Sequence, residues 1–205
     1  GQALTESGRH SAVLRDFSPL QVGTSGSWKG QLFTLIGRLQ VQYDGGGWSE
    51  WHALMADGSS AWLSESSDRF VFTRLETQAK IGNIPKYADM KIGRTFFAYG
   101  PKKYAAADVR EVYRGRFAAE GELPYLVPEQ ETARVVDCRS GDVFMTLDYT
   151  QDENKPEVFI GEGVALNALR LQNTRDLQQI KDSAGKLKGS AQQSKCPNCG
   201  GPVRW

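Results

Sequence analysis

The segment Tyr43–Glu65 constrains the fold more than any other part of the chain. It reads YDGGGWSEWHALMADGSSAWLSE and places three of the five tryptophans in two short runs separated by turn residues. Asp44-Gly45-Gly46-Gly47 and Asp57-Gly58 supply the residue types that tight hairpin turns need. Apolar and polar residues also alternate from Phe33 to Tyr43, which is typical of a half-buried strand. These patterns predict an antiparallel β-meander.

Later apolar runs extend this prediction to a mostly β protein with few helices. We expect meander sheets or small barrels, arranged as two related β-units at residues 19–78 and 79–173. The idea of related units comes from the sequence Ile-Gly-Arg, which occurs at 36–38 and again at 92–94. A match of three residues also arises by chance, so both interpretations remain open. Lys103–Ala119 fits neither a helical nor a strand period.

The chain ends are polar in character. Residues 1–18 are predicted to be a lead-in, residues 174–195 a polar linker, and residues 196–205 a truncated zinc-ribbon knuckle. Residues 175–205 contain six basic and two acidic residues, a charge of +4.

Composition narrows the functional classes. The net charge of the 205 residues is +1, so the chain lacks the basic character of a dedicated nucleic-acid-binding protein. No apolar run reaches the length of about 18 residues that a membrane-spanning helix needs, and no signal peptide is recognisable. Three cysteines, two of them in one CxxC, fit a reducing compartment, so we expect a cytoplasmic protein.

The motif CPNCGG, which begins at Cys196, is the sharpest chemical signal. Cys196 and Cys199 have the spacing of a zinc knuckle, but tetrahedral zinc needs four ligands. The other candidates are Cys138 and His52, so we expect zinc as a cofactor only if the ribbon is completed outside residues 1–205. The alternative is that this CxxC is a redox pair or a coincidence.

The aromatic cluster suggests a binding surface. Side chains alternate between the faces of a strand, so Trp48 and Glu50 share one face and Trp51 lies on the other. The tryptophans either pack in a core or stack on a peptide, sugar or base. We select Trp48, Glu50, Trp51 and Trp62 as candidate ligand-binding residues, with Trp48 and Trp62 as the more exposed pair.

No set of residues predicts catalysis. Glu50, His52 and Asp57 are close in sequence, and His52 with Cys138 would suggest thiol chemistry. General acid–base catalysis nevertheless requires groups that converge in one pocket. We therefore name no catalytic residue and favour a non-enzymatic function.

The run from Ser18 to Glu65, with GELP at Gly121–Pro124, resembles the bacterial domain of unknown function 4178 family. The resemblance spans about Leu14–Leu171 and is denser in its first half. Members of this family are often flanked by CxxC zinc-ribbon pieces, which implies such a fragment at Cys196–Cys199. The resemblance implies no catalytic residue.

These observations predict a cytoplasmic, protein-binding adaptor with an accessory zinc ribbon. One alternative is an enzyme-associated or weakly catalytic domain that uses Glu50, His52 and Asp57. Another is contact with nucleic acid through the basic tail, although we do not expect a nucleic-acid partner.

Overall fold

The computed structural model describes residues 17–67 and 69–182, which form a single antiparallel sheet. The strands of this part are β1 (Ser25–Trp28), β2 (Gln31–Tyr43), β3 (Gly46–Met55), β4 (Ser60–Ser66), β5 (Arg69–Leu75), β6 (Phe96–Tyr99), β7 (Lys102–Arg114), β8 (Ala119–Gly121), β9 (Glu131–Ser140), β10 (Val143–Asp148) and β11 (Glu157–Val164). Short 3-10 helices lie at Ile81–Asn83, Tyr87–Asp89, Arg116–Ala118 and Leu166–Leu169. Residues 177–182 are α-helical.

The sheet closes on itself. In the described part, eight strands follow the order β2-β3-β4-β5-β11-β10-β9-β7, and β7 returns to β2 through the pair Gln42 and Tyr113. β1 and β6 extend the sheet beyond this ring, while β8 pairs with the middle of β2. The predicted mostly β, antiparallel, barrel-like fold is confirmed.

The two halves of the sheet repeat one pattern of pairing. Ser25 of β1 pairs with Thr34 of β2, and Phe96 of β6 pairs with Ala105 of β7. Phe96 lies 71 positions after Ser25, and Ala105 lies 71 positions after Thr34. β3–β5 and β9–β11 continue the two halves in the same order. The halves meet at the pairs Gln42–Tyr113 and Arg74–Ile160, each of which joins equivalent positions of the two halves, as a two-fold repeat requires.

The repeated Ile-Gly-Arg does not mark this repeat. Ile36-Gly37-Arg38 lies within β2, whereas residues 92–94 form the turn that precedes β6. The corresponding turn in the first half is at Val22 and Gly23, just before β1. The two halves therefore match in strand register, and the three-residue identity falls at unequal positions.

Both long strands contain a bulge at the same point. The register shifts between Leu35 and Gly37 in β2 and between Ala106 and Asp108 in β7. A bulge adds one residue to one strand, so the side chains beyond it change faces. This explains why Lys103–Ala119 fits no single period, although most of it is strand.

Two hydrophobic cores cover the outer face of the ring. The first packs Trp51, Leu63 and Phe72 against Leu20 and Leu169 from the ends of the described region. The second packs side chains of β9–β11 against the segment between β5 and β6. Burying each large apolar side chain contributes roughly 1.5–3 kcal/mol. On the opposite face, Leu39, Val41, Val112 and Ala133 form a third, smaller core, and the rest of that face lines an interior space.

Among the residues described, none belongs to a helix with the length and apolar character needed to cross a membrane.

Candidate functional site

The inner face of the ring encloses a cavity of about 1050 Å³, which we call the lumen. Ligand sites in proteins commonly measure about 300–1,000 Å³. Aromatic and charged side chains from both halves line the lumen. The aromatic ones are Tyr43, Trp48, Trp62, Tyr125, Phe144 and Phe159, and the charged ones are Glu50, Arg69, Asp108, Arg110, Arg114, Glu131, Asp137, Arg139, Asp148 and Glu157.

Glu50 is fixed in the wall of the lumen by two donors. The indole N–H of Trp48 donates to Oε1, and the hydroxyl of Ser64 donates to Oε2 at 2.7 Å. Ser64 is the cross-strand partner of Glu50 on β4, so the sheet register brings these groups together. Burial raises the pKa of Glu50, while the two hydrogen bonds act in the opposite direction. Glu50 therefore presents a hydrogen-bonded carboxyl group whose ionised form is destabilised by burial.

Asp137 is the second carboxyl group of this kind. It lies on β9, where the hydroxyl of Thr146 on the paired strand β10 donates to it at 3.1 Å. Burial raises the pKa of Asp137 to about 7, and the charges of Glu50 and Asp108 add to the increase. Asp137 therefore changes charge near neutral pH.

Two lumen arginines form ion pairs with other carboxylates, and their charges oppose the raised pKa values of Glu50 and Asp137. Arg114 donates to Glu131 at 2.8 Å and to Asp148 at 3.2 Å, and all three side chains are largely buried. Arg110 pairs with Asp108, and its guanidinium lies 4.1 Å from the ring centre of Tyr43. Within the described residues, no hydrogen bond or ion pair joins either Glu50 or Asp137 to an arginine.

The connection between β7 and β9 covers part of the lumen. Its residues Pro124, Tyr125, Leu126 and Pro128 contribute to the lining, and Leu126 is 97% exposed. The connection is attached through β8, where Gly37 pairs with Gly121. In the first half, the corresponding link from β2 to β3 is a tight hairpin, so this cover is the main departure from two-fold symmetry.

The predicted ligand-binding residues divide between two faces. Trp48, Glu50 and Trp62 line the lumen. Trp51 lies on the outer face, where it is fully buried, donates to Glu65 at 3.2 Å and lies under the guanidinium of Arg38. The predicted alternation of Trp48 and Trp51 is found, and Trp51 belongs to the first core instead of the lumen.

The three residues of the acid–base alternative have separate surroundings. His52 uses one ring nitrogen with the Glu122 carbonyl at 2.8 Å and the other with the Ser60 hydroxyl at 2.9 Å. Asp57 lies in the exposed β3–β4 turn and accepts a hydrogen bond from the backbone N–H of Ser59. Of the three, Glu50 alone lines the lumen.

Cys138 is a core residue. Its side chain is buried in the second core, and burial raises the pKa of its thiol to about 12. A protonated thiol is a poor nucleophile and a poor metal ligand. No group of three or more His, Cys, Asp or Glu side chains suited to a metal was found in residues 17–67 and 69–182. Cys196 and Cys199 lie outside the described residues.

Sequence reasoning missed Asp137, Arg114 and Tyr125. Asp137 and Arg114 reach the lumen because the two strands that carry them are paired beyond the β7 bulge. Tyr125 reaches it because the long connection folds back over the ring. The mixed period of Lys103–Ala119 is the one signal in the sequence that indicates such a bulge.

A family model described as Domain of unknown function (DUF4178) matches residues 21–165, a range that contains all eleven strands of the described region. Comparison with curated proteins and with solved structures gave no match. Because the matched range covers well over half of the 205 residues, the chain belongs to this DUF4178 family.

Proposed function

We propose that this protein is a binding domain whose lumen encloses a small organic molecule with a positively charged group. The observation that carries the proposal is a cavity of about 1050 Å³ in which, among the described residues, the buried carboxyl groups of Glu50 and Asp137 form no ion pair with a basic side chain. The lining contains six acidic and four basic residues, so it is acidic overall. A positively charged ligand of this size would fill the cavity and balance the negative charge of its lining.

Electrostatics support a cationic ligand. Glu50 and Asp137 both have raised pKa values because burial disfavours their ionised forms. A cation placed between carboxylates in a poorly solvated site stabilises both charges. The faces of Tyr43, Trp48 and Trp62 add favourable cation–π or stacking contacts. Arg69 and Arg139, the lumen arginines outside the two ion-paired groups, are exposed and leave the interior acidic.

Acid–base catalysis is the second candidate. A carboxyl group with a pKa near 7 exchanges protons readily at neutral pH, and Asp137 faces a cavity that would hold a substrate. Binding remains the preferred proposal because the neighbouring Glu50 is engaged by two hydrogen bonds.

We retain the role of protein-binding adaptor in the cytoplasm as a further proposal for the outer surface. Zinc at Cys196 and Cys199 is also a proposal, and it requires further ligands from outside residues 1–205. Contact of the basic tail with nucleic acid is a weaker alternative, supported by the charge of +4 in residues 175–205.

A charge series tests the binding proposal. Benzylammonium, benzyl alcohol and benzoate have similar shapes and differ in charge, so each is titrated at pH 8 while the thermal midpoint and tryptophan fluorescence are recorded. We expect benzylammonium to bind best and to raise the midpoint. Glu50→Gln or Asp137→Asn should weaken its binding about tenfold or more, since one charge-assisted contact is lost.

Asp142→Asn is the matched control, because Asp142 is exposed in the β9–β10 turn. Equal binding of the three probes, or full binding by both lumen variants, would contradict the proposal. Conversion of an amine-containing substrate that is lost in Asp137→Asn would favour the catalytic candidate.

A further inference from the structure

Among the described residues, strand β6 leaves one edge of the sheet without a second strand partner. It is the last strand in the pairing order, and in the described region its strand partner is β7. The outward-facing residues of β6 are Phe96 and Ala98, which correspond in register to Ser25 and Ser27 of β1. The two halves therefore present equivalent edges that can be compared directly.

Within residues 17–67 and 69–182, a backbone hydrogen-bonded pair covers the edge of the first half, and no equivalent pair covers the edge of the second. Ser25 N–H donates to the carbonyl of Gln172 at 3.1 Å, and Gln172 N–H donates back to Ser25 at 2.8 Å. Among the described residues, the N–H and C=O of Phe96 have no such backbone partner. Unpaired backbone groups on a strand edge form a template for another strand.

Apolar side chains beside this edge provide places for a partner's side chains. Phe96 and Ile92 are 54% and 58% exposed. A surface depression of about 450 Å³, lined by Met90, Lys91, Ile92, Arg94 and Val109, lies at the amino end of β6. Peptides that extend a sheet gain affinity from the backbone and specificity from such pockets.

The segment of the chain that contains this edge is rich in basic residues, although Glu76 accepts a hydrogen bond from Tyr99 at the carboxyl end of β6. Residues 79–106 contain one acidic residue, Asp89, and six basic residues. The basic residues are Lys80, Lys86, Lys91, Arg94, Lys102 and Lys103. The ammonium group of Lys103 lies 5.2 Å from the ring centre of Phe96. Like charges disfavour edge-to-edge pairing of two copies, whereas an acidic strand would be attracted.

We propose that β6 is a docking edge for an extended peptide segment of a partner protein that alternates acidic and apolar side chains. The segment pairs with the outward N–H and C=O groups of Phe96 and Ala98. An apolar side chain enters the depression beside Ile92, while acidic side chains contact the surrounding lysines and Arg94. This interaction is independent of ligand binding in the lumen.

The test uses a fluorescein-labelled eight-residue peptide of alternating Glu and Val, with a Lys–Val peptide of the same pattern as its counterpart. Fluorescence anisotropy at low and physiological salt measures binding to the full chain. We expect the acidic peptide to bind at least tenfold more tightly than the basic one. Its affinity should fall with salt, because charge contributes to it.

Ala98→Pro removes an outward N–H donor from an edge strand without removing a bond to β7. We expect at least a tenfold loss of affinity for the acidic peptide. Ser27→Pro is the matched control, because Ser27 is the equivalent position in β1. Should Ala98→Pro fail to fold, the double variant Lys91→Glu with Arg94→Glu provides the same comparison.

Four results would overturn the proposal. The first is equal binding of the two peptides, and the second is full binding of the acidic peptide by both Ala98→Pro and the Lys91→Glu, Arg94→Glu double variant. The third is a dimer of the protein that Ala98→Pro abolishes. The fourth is displacement of the peptide by a single-stranded oligonucleotide that itself binds at the edge.

Discussion

Asp137 and Glu50 are close enough for the charge of one to raise the pKa of the other. Each lines the lumen and accepts hydrogen bonds from hydroxyl or indole donors of the sheet. Such groups are held at some expense of stability, because burial disfavours their charged forms. Residues retained in this state are common at binding and catalytic sites.

Asp137→Asn should remove a pH dependence of folding. The pKa of Asp137 is raised from 3.8 to about 7, so the folded state binds more protons than the unfolded state between these values. The free energy of unfolding of the original protein should therefore fall as pH rises from about 4 to about 7. The variant should show a flatter profile and a gain of roughly 1–3 kcal/mol at pH 8, because solvent screening reduces the full effect.

Urea unfolding between pH 4 and pH 8 measures this difference. Asp57→Asn is the control, because hydrogen bonds from Ser59 lower the pKa of that exposed carboxyl. Its contribution is fully present above its unfolded pKa of 3.8 and is lost only at lower pH, so Asp57→Asn should leave the pH profile between pH 4 and pH 8 unchanged in shape. Parallel profiles for Asp137→Asn and the original protein would rule out the proposed titration.

At the scale of elements, the β7–β9 connection is the part that makes the ring into an enclosed site. It is attached where two glycines meet. A Cβ at Gly37 would lie 2.0 Å from the carbonyl oxygen of Glu122, and Gly121 has a φ of +68°. Backbone approach this close excludes any side chain at Gly37. The β7–β9 connection can therefore pack over the lumen only because Gly37 has no side chain.

Gly37→Ala should push the connection away from β2. We expect a loss of about 1–3 kcal/mol in the free energy of unfolding, together with faster hydrogen exchange at the amide of Glu122, which bonds to Ile36. Gly82→Ala is the control, because a Cβ there meets no atom within 4 Å. If exchange at Glu122 is unchanged in Gly37→Ala, the connection is not held by this contact.

At the scale of the whole molecule, the two halves are tied together by more than the closed ring. Leu169 follows the last strand and is buried in the core of the first half beside Leu20. Gln172 then completes the edge of β1. The end of the second half therefore stabilises the beginning of the first.

Leu169→Ala should destabilise the complete fold by about 2–5 kcal/mol, because it leaves a cavity in a core that both halves build. Leu177→Ala is the matched control, since Leu177 is 75% exposed. Urea unfolding followed by fluorescence and by circular dichroism should give coincident transitions. A loss confined to one of the two signals would indicate that the halves unfold independently.

The sequence by itself determined the class of fold, the turns at Asp44–Gly47 and Asp57–Gly58, the opposite faces of Trp48 and Trp51, and the family. These properties are local, since turn chemistry and side-chain alternation act over a few residues. The lumen was decided by tertiary structure alone. Phe33, Leu35, Leu39 and Val41 share one alternation in sequence, yet the bulge at Leu35 and Gly37 sends the last two to the inner face.

The same holds for the candidate site as a whole. Glu50 and Asp137 are 87 positions apart in the chain, and only the closed pairing order of the strands brings their charges within reach of each other. Likewise, the two equivalent halves can be recognised only from the register of the paired strands. The short sequence match at Ile36 and Ile92 does not reveal them, because the two residues lie at positions that are not equivalent in the two halves. Which strands pair depends on contacts between residues that are distant in sequence and on closure of the ring. Local sequence patterns therefore do not predict it.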